Sequence, residues 1–179
     1  IAEMLEGRKD QFLEELKQLG YTPAAAKKEV EQSIDRLVYY AGWCDKYQQL
    51  FSSVNPVATS HFNFSVPEPM GVVAILADES SALLGLVSVI APAIAGGNTC
   101  IVLASESKPT CSITFAEVIA TSDVPGGVVN IVTGSRKELH SHFSSHMDVN
   151  AIINCNSEKD FNKTIGENAS LNVKRVFTW

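Results

Sequence analysis

The sequence predicts an α/β fold. A parallel sheet of about five strands carries helices on both faces, preceded by two N-terminal helices and a short strand or hairpin. Three observations predict it. From Gly71 onward, short apolar runs alternate with stretches of helical periodicity. The runs at 72–76, 100–103, 128–132, 151–154 and 173–177 are apolar with little alternation, as in strands covered on both faces. The order strand, helix, strand demands crossover connections, which are right-handed and make neighbouring strands parallel. The arrangement is Rossmann-like.

The elements follow in chain order. Met4, Leu5, Phe12, Leu13, Leu16 and Leu19 recur at three- and four-residue spacings, and Gly20 closes that first helix. Thr22-Pro23 opens the second, with Thr as N-cap and Pro in the first turn. Its apolar face runs through Val30, Ile34, Leu37, Val38, Ala41 and Cys44, with Tyr39, Tyr40, Trp43 and Tyr47 near its end as packing aromatics. Ser, Asn and Pro punctuate residues 52–70, where 61–66 alternate as a half-exposed strand able to close a hairpin or pair across a subunit boundary. Helices then read at 80–95, 110–120, 136–144 and 158–168. Residues 1–51 thus form a helical segment packing on the sheet domain, 52–70 a connecting strand or hairpin, and 71–179 the Rossmann-like domain, all within one structural domain.

Composition narrows the function. Of 179 residues 45% are hydrophobic and 19% charged, enough apolar material for a real core and too little charge for disorder. With 14 basic and 20 acidic residues and no basic run, the chain lacks the electrostatic footprint of a nucleic-acid or anionic-membrane binder. The longest apolar stretch, 82–94, is too short to span a bilayer. Cys44, Cys100, Cys111 and Cys155 form no CxxC pair and read as reduced, buried, inert thiols of a cytoplasmic protein. The chain begins Ile1-Ala2-Glu3 and reads as a piece of a longer protein.

Candidate chemistry is sparse. His140, His142 and His146 lie close in sequence, but His140 and His142 point to different faces of a helix, so no metal site is expected. No nucleophile elbow, Walker loop or GxGxxG turn occurs, and no catalytic residue is assigned. Two helix N-termini after strands offer backbone amides to an anion: Ser105-Glu106-Ser107 and Asn156-Ser157. Helix capping is the preferred explanation of both over nucleotide binding.

Residues 68–134 resemble the aldehyde dehydrogenase superfamily. Glu68-Pro69-Met70-Gly71-Val72-Val73 looks like the opening of its cofactor domain, and residues 91–99 (Ala91-Pro92-Ala93 through Asn98-Thr99) are similar to its "APALAAGNT" stretch. Residues 123–134, ending Val132-Thr133-Gly134, are similar to "LPPGVVNVVTG". The leading helices and 172–176 fit more loosely. Within the superfamily, residues 39–46 and 121–127 look like the family 16 proteins, which carry two modules in tandem. The chain resembles their second, degenerate C-terminal module.

The resemblance also locates departures. The family's "PWN" loop supplies an oxyanion-holding asparagine, but Asp78-Glu79-Ser80 stands there, and its carboxylates would repel an oxyanion. The "KPSE" segment, whose lysine and glutamate hold the adenosine ribose, reads Leu103-Ala104-Ser105-Glu106, with no cation expected near Glu106. The "FTGS" segment facing the pyrophosphate reads Asn154-Cys155-Asn156-Ser157, and a later glycine appears as Phe161. Glu106 and Ser157 are the cofactor-binding positions that persist. In the family the nucleophilic cysteine and general base lie downstream of this region, and Cys155 aligns with a structural threonine. The resemblance therefore implies a non-catalytic aldehyde dehydrogenase-like domain, an assembly module beside a catalytic module of the same longer chain, within a homo-oligomer, with no cofactor expected beyond a weak case for NAD. The alternative is the NAD-binding part of an active NAD(P)-dependent aldehyde dehydrogenase.

Overall fold

The computed structural model describes residues 1–178. Trp179, the last residue of the expected 71–179 segment, lies outside the described residues. The helical segment holds four helices rather than two: α1 (Ala2–Gly7), α2 (Lys9–Gln18), α3 (Pro23–Cys44) and α4 (Tyr47–Phe51). The first expected helix breaks at Arg8, whose φ of −103° and ψ of 12° leave the helical well. Arg8 Nη1 there reaches the Glu117 carboxylate at 2.9 Å, and Leu5, Phe12 and Leu16 are still buried on either side of the break. Gly20, with φ of +89°, ends α2 in a conformation that favours glycine. Thr22 Oγ1 accepts from the Ala25 N–H at 3.3 Å, so α3 starts with the expected cap.

The α3 face is only partly as expected. Val30 and Leu37 are buried, but Val38, Ala41 and Cys44 are exposed. Cys44 is thus a correction to four buried thiols: Cys100 and Cys111 are buried and Cys155 half-buried. Strands β1 (Ser53–Asn55) and β2 (Asn63–Ser65) pair antiparallel, leaving Val54 and Phe64 exposed.

The main sheet alternates β3 (Val72–Leu76), α5 (Leu84–Ala95), β4 (Thr99–Leu103), α6 (Thr110–Ala120), β5 (Val129–Val132), α7 (Arg136–Ser145), β6 (Ala151–Asn154), α8 (Lys159–Ser170) and β7 (Arg175–Thr178). All pairs are parallel, in the order β5-β4-β3-β6-β7. Helix α5 begins four residues later than expected, because residues 81–84 are tied to a carboxylate on α3 instead of winding a first turn. The last strand starts at Arg175, not at 173. Val173 has φ of +58°, which a β-branched residue in a strand does not adopt, and the buried Lys174 turns its Nζ to the carbonyls of His146 (2.6 Å) and Val149 (2.9 Å).

The core has two layers, set by the alternation along β3. Val73 and Ile75 face the layer of α1–α3, α5 and α6, packed with Phe12, Leu86, Ile90 and Phe115. Ala74 and Leu76 face α7 and α8, with Phe143, Ile152 and Ile165. Among the described residues, no helix is long and apolar enough to cross a membrane. The chain steps outward from β3 to β4 and β5, then returns to the other side as β6 and β7. The strand order therefore reverses between β3 and β6, and a crevice opens above their carboxyl ends.

Candidate functional site: the cleft at the switch point

The crevice is a cleft of about 580 Å³. Asp78 and Glu79 enter it from the end of β3, Glu106 and Ser107 from the end of β4, and Arg136 and Lys137 from the start of α7. Residues 155–158 after β6 and Phe161 of α8 close the other side. Both expected cofactor positions, Glu106 and Ser157, are therefore in one place, although they are far apart in sequence.

Glu79 is the organising group. Its Oε1 accepts the Glu106 N–H at 2.8 Å and the Arg136 Nη2 at 2.8 Å. Its Oε2 accepts the Ser105 hydroxyl at 2.7 Å, the Ser107 N–H at 3.1 Å and the Ser107 hydroxyl at 2.6 Å. Partial burial raises the Glu79 pKa, but the Ser107 and Ser105 hydroxyls and the Glu106 and Ser107 amides outweigh it. The carboxyl is held at about 2. It is ionised at any physiological pH and is no general base there.

Of the two expected residues, Glu106 acts as a cap. Glu106 Oε2 accepts the Arg136 N–H at 3.0 Å, so it caps the first turn of α7. Arg136 and Lys137 stand in the cleft beside it, which corrects the expectation of no cation near Glu106. Asn156 Oδ1 accepts the Glu158 N–H at 2.9 Å, ahead of α8. Ser157 is exposed on the same loop. Phe161 packs its ring against His140, centroids 4.6 Å apart. His140 Nδ1 lies 2.8 Å from the Arg136 carbonyl. Among the described residues, no three His, Cys, Asp or Glu stand together in a way that could hold a metal ion.

Two features escaped the sequence. Glu79 was visible as a carboxylate in the wrong place for oxyanion chemistry, but not as the partner of residues 26 and 28 positions away. Arg136 carried no motif. The only signal was its position at the start of a helix after a strand, where side chains border a switch-point crevice. Cys155 also lines the cleft, and burial raises its pKa, as does the Asp78 charge, with Arg136 pulling the other way. Its thiol is kept protonated, the opposite of an activated nucleophile.

Comparison with known proteins agrees with the geometry. The model of the aldehyde dehydrogenase family matches residues 1–178. Cytosolic 10-formyltetrahydrofolate dehydrogenase of Mus musculus is 30% identical over 180 residues, covering 98% of this chain and 20% of that protein. Aldehyde dehydrogenase, cytosolic 1, of Elephantulus edwardii is 35% identical over 149 residues, covering 83% of this chain and 29% of that one. Crystal structures of PnpE from Pseudomonas sp. WBC-3 and of PnpE in complex with nicotinamide adenine dinucleotide superpose with TM-scores of 0.92 and 0.93, at 26% identity, over 99% of this chain and 36% of theirs. The chain spans well under half the length of each of these relatives. By its sequence from end to end and by its strand order, this chain belongs to the aldehyde dehydrogenase family.

Proposed function

We propose that the chain is a non-catalytic aldehyde dehydrogenase-like domain of a larger protein, an assembly module beside a catalytic module of the same chain. One observation carries this reading: the donors at the end of β4 that would meet a cofactor are already taken by the chain's own Glu79 carboxylate. Asp78, Glu106 and Glu158 line the same cleft, so four carboxylates face two cations there and an incoming pyrophosphate meets net repulsion. The surfaces for assembly are the β1–β2 hairpin, with Val54, Phe62 and Phe64 exposed, and the aromatic cluster around Tyr39, Trp43 and Phe51. Light scattering on the parent protein tests this assembly: an oligomer that dissociates on Phe64→Ser supports it, and a monomer opposes it.

The alternative, an NAD-holding part of an active aldehyde dehydrogenase, is favoured by the cleft's openness and by the presence of Glu106 and Ser157 in it. Calorimetry of the parent protein with NAD and NADP separates the two. The non-catalytic reading expects no saturable heat from this domain at millimolar nucleotide. Micromolar binding that is lost on Ser157→Trp would establish the alternative.

A further inference from the structure

We propose that a groove at the amino ends of the strands is the seat of a basic amphipathic helix supplied by the rest of the longer protein. The proposal rests on the reading of this chain as one module of a larger protein, and not on whether its cleft holds NAD.

The groove has a volume of about 680 Å³ and is open on one side. Its walls are α1, the second half of α3, the end of α5 and the loop from α6 to β5. Helices α5 and α6 carry the chain from the carboxyl ends of the strands back to their amino ends, so the groove and the cleft lie at opposite ends of the sheet. The first observation that identifies an occupant is the apolar face of α3. Its early part, with Val30 and Leu37, is buried, whereas Val38, Ala41 and Cys44 continue at three-residue spacing and line the groove uncovered. Val38 is 57% exposed, and Met4 on α1 adds a further exposed apolar side chain. Leu37 and Ala91 form a buried apolar floor. An apolar groove between helices, open along one side, receives the apolar face of another helix.

The second observation is charge. The charged side chains that line the groove are Glu3 on α1 and Asp123 on the α6–β5 loop, both acidic and both exposed. They favour lysine or arginine along the margin of a docked helix and oppose an acidic one. The loop that carries Asp123 is braced. The Ser122 hydroxyl donates to the Ile119 carbonyl at 2.7 Å and accepts the Val124 N–H at 3.3 Å. Tyr40 lines the groove and meets Tyr39 edge to face, with centroids 5.2 Å apart, so the groove is continuous with the aromatic cluster on α3. The source follows from length. The chain covers 20% of the mouse 10-formyltetrahydrofolate dehydrogenase and 36% of PnpE, so most of each relative lies outside the matched region and has room for such a helix.

Cys44 is the reporter for the test, since it lines the groove and is exposed, whereas Cys100 and Cys111 are buried. Cys155→Ser in every sample removes the half-buried thiol. The probe is a synthetic helix of about five turns, with leucine on one face and lysine on the other. On the full chain it is expected to bind saturably, at least about tenfold tighter than a scrambled peptide of the same composition, and to slow maleimide labelling of Cys44. Glu3→Lys combined with Asp123→Lys weakens that binding at least about fivefold and moves the preference to a leucine–glutamate peptide. Ala41→Arg, at an exposed position, obstructs the groove and removes the binding. Val38→Asp replaces it if circular dichroism shows that variant unfolded. Equal binding of the scrambled peptide, or binding indifferent to the charge reversal and to the groove substitution, overturns the proposal. The source is tested in the parent protein, with labelling read at Cys44 by mass spectrometry. Cys44 should label at least about tenfold more slowly there than in this chain, and the charge reversal should restore the rate. Equal rates in the two proteins overturn the proposal, and peptide binding found together with equal rates assigns the groove to a separate protein. The NAD titration reads the cleft at the other end of the sheet, so the two readings fail separately.

Discussion

Glu29 and Glu79 each collect hydrogen bonds at the loop after β3: Glu29, from α3, accepts from the far end of that loop, and Glu79, near its start, accepts from the loop after β4. Glu29, on α3, accepts through Oε1 from the Ser81 hydroxyl (2.9 Å) and from the amides of Ala82 (3.1 Å), Leu83 (2.8 Å) and Leu84 (3.2 Å). It is sealed between α3 and the start of α5, where it replaces the missing first turn as a cap. Glu79 performs the same chemistry for residues 105–107, but in an open cleft. The difference teaches that burial, and not the hydrogen-bond list, separates a structural carboxylate from a displaceable one. Remove Glu29 and the orphaned amides have no water to turn to. Remove Glu79 and water or an anion reaches its donors at once.

The comparison can be broken or sharpened by substitution. Glu29→Ala is expected to have the largest effect, a loss of about 3 kcal/mol read as a lower urea midpoint with unchanged slope, from four donors, two of them fully buried, left without their acceptor. A loss below about 1 kcal/mol would mean the loop relaxes to water and the two carboxylates are alike. Glu79→Ala is expected to cost about 1 kcal/mol, because its carboxylate is more than a third exposed and its donors resolvate. The pH dependence isolates the Glu79 charge. Its folded pKa of about 2 lies below the ordinary 4.5, so its stabilisation is fully present above about pH 4.5 and drains as the pH falls toward 2. Urea midpoints of the wild type should drop more than those of Glu79→Gln across that interval, and parallel curves would refute the assignment. The smallest effect belongs to Glu31, two residues beyond Glu29 on α3. Its contact with Lys27 is 3.7 Å long and exposed on both sides, so Glu31→Ala should stay within about 0.5 kcal/mol by the same urea measurement.

Local signals made the sheet legible. Strands β3 and β6 fall at 72–76 and 151–154, where apolar runs sit between turn residues, and α6 spans 110–120 as its periodicity demands. The resemblance singles out Glu106 and Ser157 as expected cofactor positions, and both line the same cleft. What stayed hidden depends on contacts distant in sequence. The late start of α5 needs Glu29, which is 52 residues before Ser81. Arg8, at the break between α1 and α2, pairs with Glu117, 109 residues on. The left-handed Val173 contradicts its own β propensity and is imposed by the anchoring of Lys174 under β6. The roles of Glu79 and Arg136 are of the same kind, since neither residue type announces its partner.

The strand order has a kinetic consequence. On one side of β3 the strands β4 and β5 follow directly in the chain, whereas β6 lies beyond three crossover helices, α5, α6 and α7. Closing that longer loop is the slower event, so the central strand spends part of the folding reaction as an edge. In pulse-labelling hydrogen exchange, amides shared by β3 and β4 should gain protection before those of β6 and β7, and simultaneous protection would show that the sheet assembles in one step.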